Sequence, residues 1–232
     1  MPSWAVIITG GSPLVDGTRD HLPGDGPLDR FVIAADSGLD HALAAGIHPD
    51  LVVGDLDSVS AAGIAWARGA GVPIEVHPAD KDLTDTQIAL AAAWSRQIPN
   101  VLLVSGGGDR LDHSISALTT LGHPSLGGCR SVRAFWGTAL VHVLHAPGYW
   151  ELDSADGTTF SLLALHGECT RVTLEGARWP LTDAVIEPAS SLGVSNVSDG
   201  STRISVGSGV LTLIVPHHLV PPPPPAPTGA PT

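Results

Sequence analysis

Short apolar runs and Ala-rich segments with helical spacing alternate along the first half of the chain. Apolar runs rich in β-branched residues predict buried strands, and the Ala-rich segments between them predict helices. The predicted strands are residues 5–9, 31–35, 51–53, 74–77 and 101–105, and the predicted helices are residues 39–45, 61–68, 84–97 and 111–121. This alternation is typical of a mostly parallel sheet that is covered by helices on both faces.

The pattern changes after about residue 137, where short runs of Thr, Val, Gly and Ser are separated by turn signals. Strands are predicted at residues 140–144, 158–163, 171–174, 193–197, 203–206 and 210–215. Such spacing without helical segments is typical of a small all-β sandwich or barrel. The fold class is therefore predicted as α/β, with an N-terminal, mostly parallel α/β/α sandwich domain at residues 1–146 and a C-terminal all-β sandwich domain at residues 147–219. Residues 220–232 contain five consecutive prolines and are predicted to form a disordered tail.

Composition narrows the classes of function. The formal net charge of −12 argues against broad nucleic-acid binding, which needs clustered Lys and Arg. Acidic character suits metal ions or a cationic small molecule, although it also simply favours solubility. No apolar run approaches the roughly 18 residues of a membrane span, and no signal peptide is legible. Because Cys129 and Cys169 lack the C-x-x-C spacing of a redox or zinc site, a cytoplasmic protein without a membrane partner is expected.

Carboxylates follow four successive predicted strands. They are Asp36 after the second strand, Asp55 and Asp57 after the third, Asp80 and Asp82 after the fourth, and Asp109 and Asp112 after the fifth. Ligands of open parallel sheets bind outside the carboxyl ends of the strands. Carboxylates gathered there repel one another unless a cation neutralises them, and Mg²⁺ suits carboxylate and phosphate oxygens together. The sequence therefore predicts a magnesium-dependent site for phosphoryl or pyrophosphoryl transfer.

The segment before the third predicted helix adds two candidate residues. Thr84 and Gln87 have the spacing of a capping box, which places Asp85 in the first helical turn. The helix dipole alone also favours Asp at this position. Lys81 is the single lysine of a chain whose other basic positions are Arg, so a compact ammonium is expected to meet a phosphate there. The alternative for Lys81 is a chance surface lysine.

Glycines follow the first and fifth predicted strands, in the runs 10–11 and 106–108. Glycine lets backbone N–H groups approach an anion closely, as phosphate-binding loops require. Neither run is a Walker A loop or a complete G-x-G-x-x-G fingerprint, so each is a weak signal.

The order of these motifs resembles the thiamine pyrophosphokinase family over roughly residues 5–215. The matching segments are A-D-S-G at 35–38, G-D-L-D-S at 54–58, D-K-D-L-T-D at 80–85, G-G-D-R-L-D-H at 107–113, G-A-R-W-P-L at 176–181 and S-N at 195–196. The resemblance implies an α/β catalytic domain followed by a β-sandwich. It also implies a homodimer in which thiamine lies where the two domains meet across the subunit interface. The implied reaction moves the terminal diphosphate of ATP to the hydroxyethyl oxygen of thiamine, giving thiamine diphosphate and AMP.

The resemblance also implies roles for individual residues. The metal ligands would be Asp55, Asp57 and Asp85, with Asp82 in support, and Lys81 and Arg110 would face the phosphates. The residues facing thiamine would be Trp179, Ser195 and Asn196. The wider nucleotide set is Gly11, Asp36, Gly38, Lys81, Gly107, Arg110 and Asp112, and the catalytic set is Asp57, Lys81, Asp82, Asp85 and Asp112. Ala117 stands where the family often has Asn, so a polar contact of the nucleotide site is absent or supplied from elsewhere.

Several alternatives stay open at this point. Asp82 and Asp112 are both candidates for orienting or deprotonating the acceptor hydroxyl. Trp179 fits core packing of a β-domain as well as stacking on a thiamine ring. The scaffold would also suit diphosphate transfer to a hydroxymethyl pterin or similar alcohol, or a non-catalytic regulator that binds nucleotide or thiamine. The β-rich half favours thiamine, and the number of uncompensated carboxylates favours catalysis.

Overall fold

The structure is a computed structural model that describes residues 1–24, 26, 29–78, 80, 82–108, 110–152 and 155–219. The α-helices in these residues are α1 (Gly38–Ala44), α2 (Ala61–Gly69), α3 (Asp85–Ser95) and α4 (Leu111–Thr120). None of them is long and apolar enough to cross a membrane. Lys81, Asp109 and the predicted tail at 220–232 lie outside the described residues.

The strands fall into a parallel and an antiparallel group. Those of the first half are β1 (Trp4–Ile8), β2 (Arg30–Ala35), β3 (Leu51–Gly54), β4 (Ile74–Val76), β5 (Asn100–Ser105) and β6 (Ser131–Trp136). They pair in parallel in the order β4-β3-β2-β1-β5-β6. Five of these strands were predicted. The sixth, β6, was not, because Arg133 interrupts its apolar run.

Helices cover both faces of the parallel sheet. Side chains alternate along β1, so Val6 and Ile8 enter one apolar cluster while Ala5 and Ile7 enter another. The first cluster contains Ala42 of α1, and the second contains residues of α3 and α4. The predicted layering of the N-terminal half is therefore confirmed.

The second half is β-rich and continues the same hydrogen-bonded network. Its strands are β7 (Ala139–His145), β8 (Gly148–Leu152), β9 (Thr159–Leu163), β10 (Cys169–Ala177), β11 (Leu181–Ile186), β12 (Asn196–Val206) and β13 (Val210–Val215). From β6 the order runs β7-β13-β9-β12-β10-β11, with antiparallel neighbours, and β8 pairs with a separate stretch of β12. Strand β13 is hydrogen-bonded to β7, which precedes residue 146, and to β9, which follows it. The sheet is therefore continuous across the predicted domain boundary, which stays a prediction.

One long strand replaces two predicted ones. The strand predicted at 203–206 and the last two residues of the one predicted at 193–197 belong to the continuous strand β12, which begins at Asn196. The turn signal between them is a bulge: Gly200 has φ 85°, and the register against β10 shifts between Ala177 and Glu175. The bulge lets β12 bond β9 with its first residues and β8 with its last. Strands β8 and β11 were also missed, since polar residues interrupt both.

Candidate active site

A cavity of about 440 Å³ opens at the carboxyl ends of the parallel strands. The loops after β1, β2, β3 and β5 contribute to its lining, together with the first turns of α3 and α4. Its lining includes Thr9, Gly11, Asp36, Ser58, Asp85, Gly107, Arg110 and Trp136. This is the edge at which a parallel sheet gathers its strand ends, so residues far apart in sequence meet there.

Three carboxylates form the acidic cluster of this edge: Asp36, Asp55 and Asp57. One carboxylate oxygen from each lies within 4.8 Å of the other two. Asp36 is brought to Asp55 and Asp57 because β2 and β3 are parallel neighbours, and the Asp36 N–H donates to the Val53 carbonyl over 2.8 Å. Asp36 and Leu56 have φ of 50° and 66°, the left-handed region that non-glycine residues rarely adopt. Such strain is typical of functional sites, where surrounding contacts enforce it.

Gly54 makes room for the cluster at the end of β3. Its φ of 143° is unfavourable for any side chain, and a Cβ there would lie 3.2 Å from the Asp36 Cβ and 3.2 Å from the Asp85 Oδ1. Any side chain at this position would therefore push the neighbouring carboxylates apart.

Like charges govern the electrostatics of the cluster. The neighbouring Asp55 carboxylate raises the pKa of Asp57, and desolvation and the charges of Asp36 and Asp85 add to the effect. Asp36 accepts a hydrogen bond from the Ser58 hydroxyl through Oδ2. Its Oδ1 is buried and has no hydrogen-bond partner among the described residues. A buried carboxylate oxygen without a donor, beside two more carboxylates, fits the donor set of a hard divalent cation.

Asp85 lies next to the cluster, at the start of α3. The capping box is confirmed: Thr84 Oγ1 accepts from the Gln87 N–H, and Gln87 Oε1 accepts from the Thr84 N–H. It fixes the first turn of α3, which is held to the loop after β1 by a 2.9 Å hydrogen bond between Thr86 and Thr9. The structure thus groups Asp36 with Asp55 and Asp57, and it places Asp85 at the border of that group.

The glycine loops after β1 and β5 pack against each other. Ser12 N–H donates to the Gly107 carbonyl over 2.9 Å, and a Cβ on Gly11, whose φ is 117°, would stand 2.4 Å from that oxygen. Side chains are excluded there, so the cavity has a floor of backbone beside Gly11 and Gly107. Gly38 has a packing role: a Cβ on it would meet the Ile8 carbonyl at 2.1 Å, so glycine allows α1 to approach β1.

Arg110 precedes α4 and is paired with Asp112. Its Nε and Nη2 donate to the two oxygens of Asp112 over 3.0 and 2.7 Å. The hydrogen bonds from Arg110 hold the pKa of the Asp112 carboxyl well below its usual range. Asp82 is exposed and lies outside the acidic cluster. The remaining predicted phosphate contact, Lys81, is outside the described residues.

The residues predicted to face thiamine lie in the β-rich half. Trp179, before β11, exposes 55% of its surface. Asn196 is 2% exposed, and its side chain clamps the Trp179 backbone: Oδ1 accepts from the Trp179 N–H over 3.2 Å, and Nδ2 donates to the Trp179 carbonyl over 2.7 Å. The same Oδ1 accepts from the Val197 N–H over 2.9 Å. The exposed Ser195 has φ 57° and donates its N–H to Ser161 Oγ.

Strand register places this loop at the same edge of the sheet as the cavity. Val104, next to the cavity-lining Ser105, pairs with Phe135, and the row continues through Leu140, Val215 and Phe160 to Asn196. From β5 to β12 the row crosses five strand steps, which is roughly 24 Å along the sheet at about 4.8 Å per step. In the described part of the chain, Trp179, Ser195 and Asn196 do not line the acidic cavity.

The structure adds residues to the site that sequence reasoning missed. Thr9 anchors the start of α3, and Ser58, which belongs to the predicted 54–58 segment but had no assigned role, donates to Asp36. Trp136 lines the cavity because β6 joins the parallel sheet beside β5. In the sequence, the low aromatic content was the only feature that marked Trp136 as a candidate for the site. Ala117 lines the cavity from α4 and is 7% exposed, so the absent family Asn leaves an apolar contact there.

Comparison with known protein families distinguishes between the candidate functions of the site at the carboxyl ends of the parallel strands. Residues 28–130 match the family model of the thiamin pyrophosphokinase catalytic domain, and residues 142–211 match that of its vitamin B1 binding domain. The chain belongs to the thiamin pyrophosphokinase family. The range that matches the catalytic domain contains the acidic cluster, and the range that matches the vitamin B1 binding domain contains the Trp179 loop.

Individual relatives agree with this family assignment. A thiamine pyrophosphokinase of Bacillus subtilis is 26% identical over 190 residues, covering 78% of this chain and 85% of the relative. The Geobacillus thermodenitrificans thiamin pyrophosphokinase structure is 27% identical, with a TM-score of 0.74 over 91% of this chain and 96% of that one. The Bacillus subtilis structure, at 22% identity and a TM-score of 0.77, shares the fold over 91% of this chain and 98% of that one.

Proposed function

We propose that this protein transfers the diphosphate group of ATP to the hydroxyethyl oxygen of thiamine, giving thiamine diphosphate and AMP. The observation that carries the proposal is the acidic cluster of Asp36, Asp55 and Asp57 beside two glycine loops, in a chain that also has the family's vitamin B1 binding domain. Phosphoryl-type transfer depends on positioning and on neutralising phosphate charge, and these residues are suited to both tasks. The pterin and regulator alternatives are not favoured.

Magnesium is the cation we propose for the cluster. Asp55 and Asp57 would hold it with Asp36, whose Oδ1 has no partner among the described residues, and Asp85 would complete the set from α3. Bound Mg²⁺ would supply charge neutralisation for the phosphate oxygens of ATP. The protein's own part is to hold mutually repelling carboxylates in place through the β2–β3 pairing and the capped start of α3.

The remaining cavity residues position the nucleotide and the acceptor. Backbone beside Gly11 and Gly107 would approach the phosphates, and Arg110 and Lys81 would bind their oxygens. The lowered pKa of Asp112 makes it a weak base, so we assign it the task of orienting Arg110. Asp82 is then the candidate that would orient or deprotonate the thiamine hydroxyl.

We also propose a homodimer in the cytoplasm, with each active site shared between subunits. About 24 Å along the sheet separate the acidic cavity from the Trp179 loop of the same chain. Direct transfer requires reacting atoms within about 3.5 Å, so a second copy is the natural source of the thiamine site. Trp179 would stack on thiamine, whose positive thiazolium is attracted by the acidic surroundings.

The product assay tests the reaction directly. Purified protein with ATP, Mg²⁺ and thiamine should form AMP and thiamine diphosphate in equal amounts, and EDTA should stop the reaction. Formation of ADP with thiamine monophosphate would contradict diphosphate transfer. A parallel reaction with a hydroxymethyl pterin should give no product, and preferential use of the pterin would favour the alternative acceptor.

A mixing experiment tests the shared site. Asp57→Ala and Trp179→Ala proteins, assayed at low thiamine, should each be defective because every site carries one change. After subunit exchange, half of the dimers would be mixed, and one of their two sites would be intact, so about a quarter of wild-type activity should return. No recovery with demonstrated subunit exchange would show that each site belongs to one chain.

A further inference from the structure

A second cavity lies on the opposite face of the sheet from the acidic cavity. Its volume is about 230 Å³. Phe135 of β6 lines this second cavity, while the next residue, Trp136, lines the acidic one, because successive side chains of a strand point to opposite faces. The two cavities are thus separated by the sheet itself, and the second has no part in the function proposed above.

Most of the wall of the second cavity is aromatic or aliphatic. Trp4, Phe135 and Trp150 line it together with leucines from β5, β7 and β8. The ring of His218 stacks on Phe135 with their centroids 6.2 Å apart. Such a wall suits a flat apolar group, which can bury its faces against the rings.

The charged group in this wall is Arg133. Its guanidinium carbon lies 5.4 Å from the centre of the Trp4 ring, and its Nε is buried without a hydrogen-bond partner among the described residues. Desolvation lowers the pKa of Arg133. In the described part of the chain no carboxylate forms an ion pair with it. An unpaired, partly buried cation is costly, and buried polar groups normally have partners.

Among the described residues, the neighbours of Arg133 offer no negative charge. Its cross-strand partner His142 points to the same face, lies 4.7 Å from the Trp150 ring and has a buried Nδ1 without a partner in the described residues. Desolvation, followed by the charge of Arg133, lowers the pKa of His142 to about 3, so the imidazole is neutral. The other titratable residues among those lining the cavity are His21 and His218. In a chain of formal charge −12, a cavity with basic groups and no described acid is unusual.

We propose that this cavity is a second binding site, which takes a compact aromatic anion. The anionic group would accept hydrogen bonds from Arg133, and the aromatic body would lie among Trp4, Phe135 and Trp150. A cavity of about 230 Å³ is smaller than the roughly 300–1,000 Å³ of ordinary ligand pockets, so the ligand is smaller than a nucleotide. The Arg133 Nε, which has no partner among the described residues, favours an anionic head, and the aromatic wall favours an apolar body.

Calorimetric titration with benzoate tests the proposal, with neutral benzamide as the matched probe. EDTA is present throughout, so that the acidic cavity repels anions. Benzoate should bind at one site, at least tenfold more tightly than benzamide. Arg133→Gln should weaken benzoate binding at least tenfold. Arg203→Gln is the matched control, since Arg203 is paired with Glu151 on the surface, and it should leave binding unchanged.

Two results with the wild-type protein in the titration would overturn the proposal: no benzoate binding, or equal binding of benzoate and benzamide. Equal benzoate affinity in folded Arg133→Gln would do the same. If that variant does not fold, crystals of the wild-type protein soaked in 4-bromobenzoate provide an independent measurement. Anomalous bromine density should lie beside Phe135 and Trp150, and density confined to other places would refute the site.

Discussion

The acidic cluster and the Trp179 loop lie at the same edge of the sheet, yet they are held in place by opposite means. The cluster gathers charges that repel one another on backbone in left-handed conformations, and no described residue donates to the Asp36 Oδ1. The Trp179 loop is neutral at its anchor, where one buried amide, that of Asn196, satisfies both backbone groups of Trp179. The cluster would be completed by the proposed cation, whereas the loop is already organised.

The two sites are therefore expected to contribute to ligand binding in different ways. A cluster of unneutralised carboxylates costs stability until a cation arrives, so metal binding and folding are linked. A loop whose hydrogen bonds are complete loses little entropy when a ligand stacks on its exposed ring. Changes in the cluster should therefore affect turnover and metal dependence, and changes in the loop should affect folding and the affinity for thiamine.

The largest effect is expected for Asp57→Ala. Loss of a central carboxylate should lower kcat by about 10³-fold or more, because charge neutralisation of the phosphates depends on the cluster. The control is Asp199→Ala, which removes an exposed aspartate of β12. Steady-state assays with circular dichroism should show two folded proteins of which only Asp57→Ala is inactive. Near-normal activity of Asp57→Ala would remove it from the metal site.

Next in size is the effect of Asn196→Ala on folding. The change removes three hydrogen bonds to partly buried backbone groups of Trp179 and Val197, so the free energy of unfolding should fall by about 2–3 kcal/mol. Urea denaturation measures it, with the exposed neighbour Ser195→Ala as the control for stability. The KM for thiamine should rise while the KM for ATP stays constant. Unchanged stability would show that the clamp does not hold the loop.

Trp179→Ala should have a smaller effect, confined to thiamine. Removing a stacking ring should raise the KM for thiamine by about tenfold and leave the KM for ATP unchanged. Trp94 of α3 provides a matched control, since it is 54% exposed and Trp179 is 55% exposed. Initial rates at varied thiamine and varied ATP separate the two effects. An effect on ATP alone would place Trp179 outside the acceptor site.

The smallest effect is a pH-dependent change in the stability of metal-free protein. The pKa of Asp57 is raised in the folded state, chiefly by Asp55, so the folded protein binds more protons than the unfolded chain over the range above the ordinary aspartate pKa. The repulsion therefore lowers stability as pH rises through that range. In EDTA, Asp57→Asn should melt at a higher temperature than wild type at about pH 7, and the difference should shrink toward about pH 4.

Added Mg²⁺ should reverse that order near neutral pH, because only the wild type keeps the full cluster. Thermal melts in EDTA and in Mg²⁺ over this pH range provide the measurement. A metal-free Asp57→Asn protein that is less stable than wild type at every pH would show that the cluster is not repulsive.

Local signals predicted much of the site. Alternating apolar runs located five parallel strands and the carboxylates at their ends, and the Thr84–Gln87 spacing gave the start of α3. These features depend on residues that lie only a few positions apart in the chain, so the sequence pattern is sufficient to predict them. The place of Asp85 in the first turn follows from the same local rule.

Other features were decided by pairing between distant segments. Asp36 joins Asp55 and Asp57 because β2 lies beside β3, and Trp136 reaches the cavity because β6 continues the sheet. An Asn side chain can bind a ligand or a backbone segment equally well. The Asn196 amide binds the Trp179 backbone because the Trp179 loop packs beside it. Periodicity does not report such contacts, because they depend on which strands become neighbours.

Local patterns and motif order were enough to predict the α/β class, the acidic strand ends and the family. Which carboxylates meet, how far the Trp179 loop lies from them, and that Arg133 faces an aromatic cavity behind the site all depend on the three-dimensional arrangement. The physical reason is that strand order and register set distances between residues far apart in the chain, and electrostatic and hydrogen-bond energies depend on those distances.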